Sequence, residues 1–202
     1  MKIYRIFLIV SPTAITTANF KLKGIAGSTG RLDVIARSII SALVTKSNIR
    51  RNVEVWSLLE GPPNPPIIIK VLGREVECMP SNEIEVVKII RDLLAGRQIA
   101  GYYVTKMGFK RVVKELLNTV DKVYYLRENG ANLNYRMFNY ERLGFILGSH
   151  VDLPKEYELF LDENNIERIK LSNVSYLTSQ CVTIVNRILD YIEVYASDLA
   201  SS

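Results

Sequence analysis

The groups in this chain that offer chemistry are few. They are one histidine, His150, two cysteines, Cys78 and Cys181, and arginines set beside glycine turns or in a pair. The cysteines form no CxxC pattern, which argues against a zinc site or a disulfide framework and suits a reduced compartment. His150 follows Gly148-Ser149 in the run FILGSH, at the end of a short apolar stretch. A lone histidine is more often structural than catalytic, but this one sits in a glycine turn. Cys181 opens an apolar helical pattern, where a cysteine ordinarily serves as a small hydrophobe.

The stretch Gly27-Ser28-Thr29-Gly30-Arg31-Leu32-Asp33 has the glycines of a phosphate loop but lacks its Lys-Ser/Thr, and no GxGxxG follows any strand. A glycine turn capping a helix accounts for the glycines but leaves Arg31 unexplained. Ser28 or Thr29 can cap that helix, with Asp33 in its first turn. Arg50 and Arg51 are adjacent and admit two readings, solvated surface charge or a phosphate clamp. Leu171 to Cys181 is rich in Ser, Thr, Asn and Gln and lies between a strand pattern and a helix pattern. Loops so placed are where α/β proteins bind ligands.

These groups need a scaffold, and the hydrophobic pattern supplies one. Ile3–Val10, Val53–Leu59, Val123–Leu126, Phe145–Leu147 and Ile166–Leu171 read as strands. Pro66–Val71 and Glu75–Cys78 flank Leu72-Gly73-Arg74 in the pattern of a hairpin, and Gly101–Gly108 reads as strand or extended loop. Helices are predicted from Leu32 to Leu43, from Ser81 to Gly96, over Phe109–Val120 and Pro154–Glu163, and from Val182 to Val194. Glu128-Asn129-Gly130 reads as a turn, Ala131–Arg142 as irregular, and the residues after Ala196 as a frayed tail. Strands alternating with helices predict an α/β fold with a largely parallel sheet, in one domain spanning residues 1–202. The excess of basic over acidic residues, 26 − 21 = 5, permits an anionic partner such as RNA without requiring one. The N-terminal apolar run is too short for a membrane span, and Arg5 interrupts a signal-peptide core. A cytoplasmic protein with no membrane and no metal is expected.

Several of these segments, taken in order, resemble one family. GSTGRLD at 27–33, IRRN at 49–52, GPPNPP at 61–66, YYLRENG at 124–130, LGSH at 147–150 and LSNVSYLTSQCVTIV at 171–185 are similar to segments of the archaeal tRNA pseudouridine N1-methyltransferases (TrmY), of the SPOUT superfamily. The resemblance implies an α/β SPOUT fold, with helices on both faces of the sheet and a C-terminal trefoil knot. It implies a homodimer, bound S-adenosylmethionine (SAM), and methylation of N1 of pseudouridine 54 in the T-arm of tRNA. The implied SAM site uses Leu126, Gly148, the run Leu171, Ser172, Asn173, Val174, Ser175 and Tyr176, and Cys181. Backbone groups there would bond the adenine edge between apolar walls from Leu126, Leu147 and Leu171. Arg31, Arg50 and Arg51 are implied RNA contacts, and Arg31 and Asp33 the catalytic pair, with Asp33 as proton acceptor or base-edge contact. The C-terminal helix is expected to supply much of the dimer contact, because Ile184 and Ile188 add apolar residues beyond one core seam.

The chain departs from the family pattern at Ser149, where an Asp is usual. It departs also at Asn52, at Ser81-Asn82-Glu83, and at Leu177, Gln180 and Asn186, where histidines are usual. These changes remove titratable groups and keep backbone-shaping ones. They leave two alternatives, a non-catalytic RNA- or SAM-binding paralogue and a SPOUT enzyme acting on another RNA uridine or pseudouridine.

Overall fold

In the computed structural model residues 2–199 are described, with side chains as far as 195. The elements in chain order are β1 (Tyr4–Ser11), α1 (Ile25–Ser28), α2 (Leu32–Leu43), β2 (Val53–Leu59), β3 (Ile67–Leu72), α3 (Glu83–Leu94) and β4 (Tyr102–Thr105). They continue with α4 (Phe109–Thr119), β5 (Lys122–Asn132), a 3-10 turn (Tyr135–Phe138), β6 (Arg142–Gly148), α5 (Lys155–Glu163), β7 (Glu167–Lys170) and α6 (Thr178–Leu199). The expected tail after Ala196 is helical to Leu199, and residues 200–202 lie outside the described ones.

The seven strands form one sheet in the order β4-β3-β2-β1-β6-β5-β7. The five from β2 to β7 pair in parallel, while β3 runs against both of its neighbours. Parallel strands are covered on both faces, which explains the unbroken apolar runs: every residue of β2, and all of β1 but Tyr4, is buried. Alternate side chains feed two cores. Phe7, Ile9, Val55 and Phe145 meet Ile35 and Ile39 of α2, Val87 of α3 and Val185 and Leu189 of α6. Ile6, Leu8, Val10 and Ile146 meet Val112 and Leu116 of α4 and Phe160 and Leu161 of α5.

Two sequence expectations are corrected. Glu75–Cys78 is not the second strand of a hairpin. Both edges of β3 are taken, by β2 and β4, and the chain after Leu72 turns away, with Val76 N–H donating to Leu72 C=O at 3.1 Å. Glu128-Asn129-Gly130 is not a turn between elements. Leu126 and Ala131 both pair with Ile169, so residues 127–130 bulge out of a continuous β5. Gly130 is needed there because a Cβ would lie 2.6 Å from the Ile169 nitrogen.

The connection from β1 leads through α2 to β2 on one side, and that from β6 leads through α5 past β5 to β7 on the other. β1 and β6 are adjacent, so their C-terminal ends mark the switch point at which α/β sheets open a crevice. Val10 pairs with Gly148, and Ser149 N–H donates to Val10 C=O at 2.9 Å, which brings the two post-strand loops together. Among the described residues no helix is long and apolar enough to cross a membrane, and no group of three or more His, Cys, Asp or Glu is placed to hold a metal.

Candidate functional site

A cavity of about 600 Å³ opens at the C-terminal ends of β5, β6 and β7. Leu126, Leu147, Leu171 and Tyr176 give it apolar walls, with Gly148 and Cys181 among its lining. The Gly148 turn is close-packed, since a Cβ would stand 2.5 Å from the Val151 carbonyl oxygen. Thr178, the first residue of α6, ties that turn to the helix. Its hydroxyl donates to the Gly148 carbonyl at 3.0 Å and also to that of Ser149. The residues expected from the 171–176 run divide in two. Leu171, Ser172, Val174 and Tyr176 line the cavity. Asn173 and Ser175 instead fasten the loop: Asn173 Oδ1 accepts from Lys170 Nζ at 2.9 Å, and the Ser175 hydroxyl donates to Glu128 in the β5 bulge.

Arg31 and Arg37 of the α2 end line the opposite wall. Gly30 and Arg31 both take left-handed backbone conformations, at φ 59° and 74°. Gly30 is obligatory because a Cβ would sit 1.8 Å from the Thr13 carbonyl oxygen. Arg31 adopts a conformation uncommon for a side-chain-bearing residue, and such strain gathers at functional sites. The Thr29 hydroxyl accepts from Leu32 N–H at 3.2 Å, so it caps the helix from two residues before the N-cap position, Arg31.

Asp33 lies beneath this wall and not on it. Its Oδ1 accepts from Arg31 Nε at 2.9 Å, and its Oδ2 accepts from Arg31 Nη2 at 3.0 Å and from Arg37 Nη2 at 2.9 Å. Burial works to raise its pKa, but the bonds from Arg31 and the charges of Arg31 and Arg37 outweigh burial and hold it below 3.8. A carboxylate so held is a poor proton acceptor near neutrality. It acts as the anchor that aims two guanidinium groups at the cavity. Arg37 escaped the sequence reading, although its i,i+4 spacing from Asp33 was the available signal.

His150 stands at the same rim. Its Nδ1 lies 3.2 Å from the Ser149 hydroxyl and its Nε2 3.5 Å from that of Thr13. Burial and then the charge of Arg31 lower its pKa, which favours the neutral ring. Arg31, Asp33 and His150 therefore cluster beside the apolar cavity.

Arg50 and Arg51 do not join them. They precede β2, and β1 pairs with β2 from Arg5↔Val53 onward, so they lie at the sheet end opposite Gly148. Five residues of strand, roughly 17 Å, separate the two ends. Arg50 donates to both Asp190 oxygens, at 2.7 and 2.6 Å, and Arg51 donates to the carbonyls of Gly73 and Val76 at 3.0 and 2.6 Å. Arg50 is thus paired within the fold, while Arg51 uses one nitrogen there and stays exposed.

Burial pushes the Cys181 thiol up to about 11, and its sulfur lies 3.9 Å from the Tyr176 carbonyl oxygen. At that value it holds roughly a hundredfold less thiolate than an ordinary cysteine. Cys181 is a wall of the cavity and not a nucleophile. In a thiol titration at pH 8, exposed Cys78 is expected to react at once and Cys181 roughly 10–100-fold more slowly. Two equal rates would contradict this.

Comparison with known proteins follows the same outline. A family described as "Putative SAM-dependent RNA methyltransferase" matches residues 4–194. A tRNA (pseudouridine(54)-N(1))-methyltransferase of Methanocaldococcus jannaschii is 32% identical, with 92% of this chain and 96% of that protein covered. One of Thermococcus onnurineus is 34% identical, with 93% and 98% covered. The crystal structure of Archaeoglobus fulgidus Nep1 bound to S-adenosylhomocysteine superimposes with a TM-score of 0.66 at 16% identity, covering 96% of this chain and 100% of that one, a likeness of fold. The chain belongs to this family of SAM-dependent RNA methyltransferases.

Proposed function

We propose that the chain methylates N1 of pseudouridine 54 in the T-arm of tRNA, with SAM held in the cavity at the ends of β5, β6 and β7. The observation that carries this reading is the meeting of two unlike surfaces, an apolar, glycine-edged pocket and a polar wall bearing Arg31, Arg37 and His150. It favours turnover over a role confined to binding RNA or SAM. The relatives' names supply the target base and its position.

The residues present fit the cofactor. The cavity has the volume of a small-molecule site, and its turn at Gly148 has no room for a side chain. Residues 127–130 are released from pairing with β7, and Arg127, Glu128 and Asn129 line the opening. Leu126, Gly148, Leu171, Ser172, Val174, Tyr176 and Cys181 would line the cofactor, and Asn173 and Ser175 would hold the loop around it. SAM bound there would supply an electrophilic methyl group. The chain's own part is alignment and charge. Fixing the base against the pocket supplies up to about 11 kcal/mol through orientation alone. Arg31 and Arg37 meet a phosphate or the base carbonyls, and Asp33 positions both.

The same proposal includes a single methyltransferase domain, a trefoil crossing where α6 starts beneath the Gly148 turn, a cytoplasmic setting alongside tRNA, and a homodimer. Supporting a dimer, Val174 and Leu177 of the cofactor loop and Tyr191 and Tyr195 of α6 are exposed apolar or aromatic residues along one stretch of chain. A monomer in sedimentation equilibrium at micromolar concentration would remove the dimer from the account. The reaction is tested by digesting methylated tRNA to nucleosides. 1-Methylpseudouridine as the new product supports the proposal, and a methylated uridine or a ribose methyl in its place would overturn it.

A further inference from the structure

We propose that His150 is the proton acceptor of the methyl transfer, taking the N1 proton of the target base at Nε2 while Thr13 and Ser149 hold the ring between two hydroxyl oxygens. This rests on the reading that the chain methylates N1 of pseudouridine. As the N1–C bond forms and the C–S bond breaks, sulfur keeps the bonding pair and becomes a neutral thioether. The nitrogen gains positive charge, N1–H becomes strongly acidic, and its proton passes to the imidazole, giving imidazolium and the neutral methylated base. A weak base in contact is sufficient for such a step.

Elimination among the groups at the cavity leads to His150. Asp33 is buried behind Arg31 with both oxygens occupied. Glu128 accepts from Ser175, and Asp152 is paired with Arg127. Cys181 holds its proton, and Lys170 is bonded to Asn173. His150 is the chain's single histidine. Burial and the charge of Arg31 favour its neutral form, opposed by Asp33.

The hydroxyls around the ring suit a base that becomes charged during the reaction. The Thr13 hydroxyl spends its proton on the Gly30 carbonyl at 2.9 Å, and that of Ser149 is directed to the Ser11 oxygen at 3.2 Å. Both therefore turn lone pairs toward the imidazole. A neutral ring has one N–H and can satisfy one of them, whereas imidazolium satisfies both. The charged groups around the ring are Arg31, Asp33 and Arg37 on the α2 side, with Arg127, Glu128, Asp152 and Lys170 on the rest of the cavity wall. The Nε2 contact is the longer of the two, so Nε2 is left to the incoming N1–H while Nδ1–H donates to Ser149, and the new Nε2–H turns to Thr13 once the proton has moved.

The test is single-turnover methyl transfer to a pseudouridine T-arm RNA between pH 5 and 8, with S-adenosylhomocysteine affinity measured beside it. In the native protein the rate should rise with pH through the His150 pKa, below 6.5, and then level off. His150→Ala should lower the plateau about 100-fold, abolish the acidic limb, and leave S-adenosylhomocysteine affinity within about threefold. Added imidazole should restore part of the rate. His150→Gln serves if the alanine variant fails to fold. A variant within about threefold of native that keeps the limb overturns the assignment, as does a native profile that is flat across the range. A native protein that binds S-adenosylhomocysteine but labels no pseudouridine RNA fails at the underlying reading, and the assignment falls with it. Normal native transfer with an indifferent His150 variant overturns the assignment alone.

Discussion

Replacing Asp33 by Asn should lower methyl transfer about 100-fold while S-adenosylhomocysteine still binds within about threefold of native. The carboxylate touches no cavity surface, but it receives three hydrogen bonds from Arg31 and Arg37. An asparagine carries no charge and in either orientation turns its NH2 against an Arg31 N–H, so the Arg31 guanidinium loses its aim. Misplacement of about 1 Å in a positioning group can cost 10²-fold in rate. The apolar pocket across the cavity is untouched, hence the separation of rate from affinity. Stability should fall too. The Asp33 side chain is 6% exposed, and removing one partner from a buried pair is costly. Both arginines are about one-third exposed and can recover water, so about 2–3 kcal/mol is expected. The pH dependence carries the sign of a depressed carboxylate. The folded-state pKa lies below 3.8, so the contribution is complete above that value and fades as pH falls through the folded pKa. Native protein and Asp33→Asn should differ fully at pH 7 in urea unfolding, and the gap should close below about pH 4. A full-rate Asp33→Asn would show that the arginines need no anchor.

The largest stability effect is expected at Arg5, far from the cavity. This guanidinium is completely buried at the second position of β1, just before the apolar run Ile6–Val10. It bonds Glu193 at 2.5 Å, Asp190 at 3.2 Å, and the Asn186 side chain and carbonyl at 3.1 and 3.2 Å, all on α6. Arg50 completes the cluster through Asp190, and Asn52 through Glu193 at 3.3 Å. Arg5→Ala leaves acids facing a void and should cost about 3–5 kcal/mol. Arg5→Met fills the space without the charge and should recover part of that loss. Both variants should shift the urea midpoint with little change in slope. A loss under about 1 kcal/mol for the alanine variant would show that water or Arg50 replaces Arg5 easily. The cluster grips the C-terminal half of α6, whereas the cavity uses Thr178 and Cys181 at its start. Cofactor affinity in surviving Arg5 variants should therefore change little.

These two residues also show where the sequence stops being informative. The apolar runs of β1 and β2 and the three-four spacing of α2 are local signals, and they translate directly into buried strands and a buried helix face. The Gly148 turn and the polar run after Leu171 are local as well, and both line the cavity. Arg5 carries no such signal. Within its own segment it reads only as an interruption, because its partner Asp190 is 185 residues away. Arg50 and Arg51 resemble a phosphate clamp until Asp190 and the Gly73 and Val76 carbonyls come into contact with them. The β5 bulge was missed for a related reason. Glu128-Asn129-Gly130 has turn chemistry, and only pairing with Ile169 on both sides makes it part of a strand. Asp33 illustrates the intermediate case: its place in the first turn of α2 was legible, but its role as the shared anion of Arg31 and Arg37 depends on side-chain direction.

The most direct test of the account is methyl transfer from labelled SAM to two T-arm RNAs that differ only in carrying pseudouridine or uridine at position 54. N1 of uridine is bonded to the ribose and has no proton to give, so the account predicts label on the pseudouridine RNA alone. Label on both RNAs, or on neither in a preparation that binds S-adenosylhomocysteine, would contradict it.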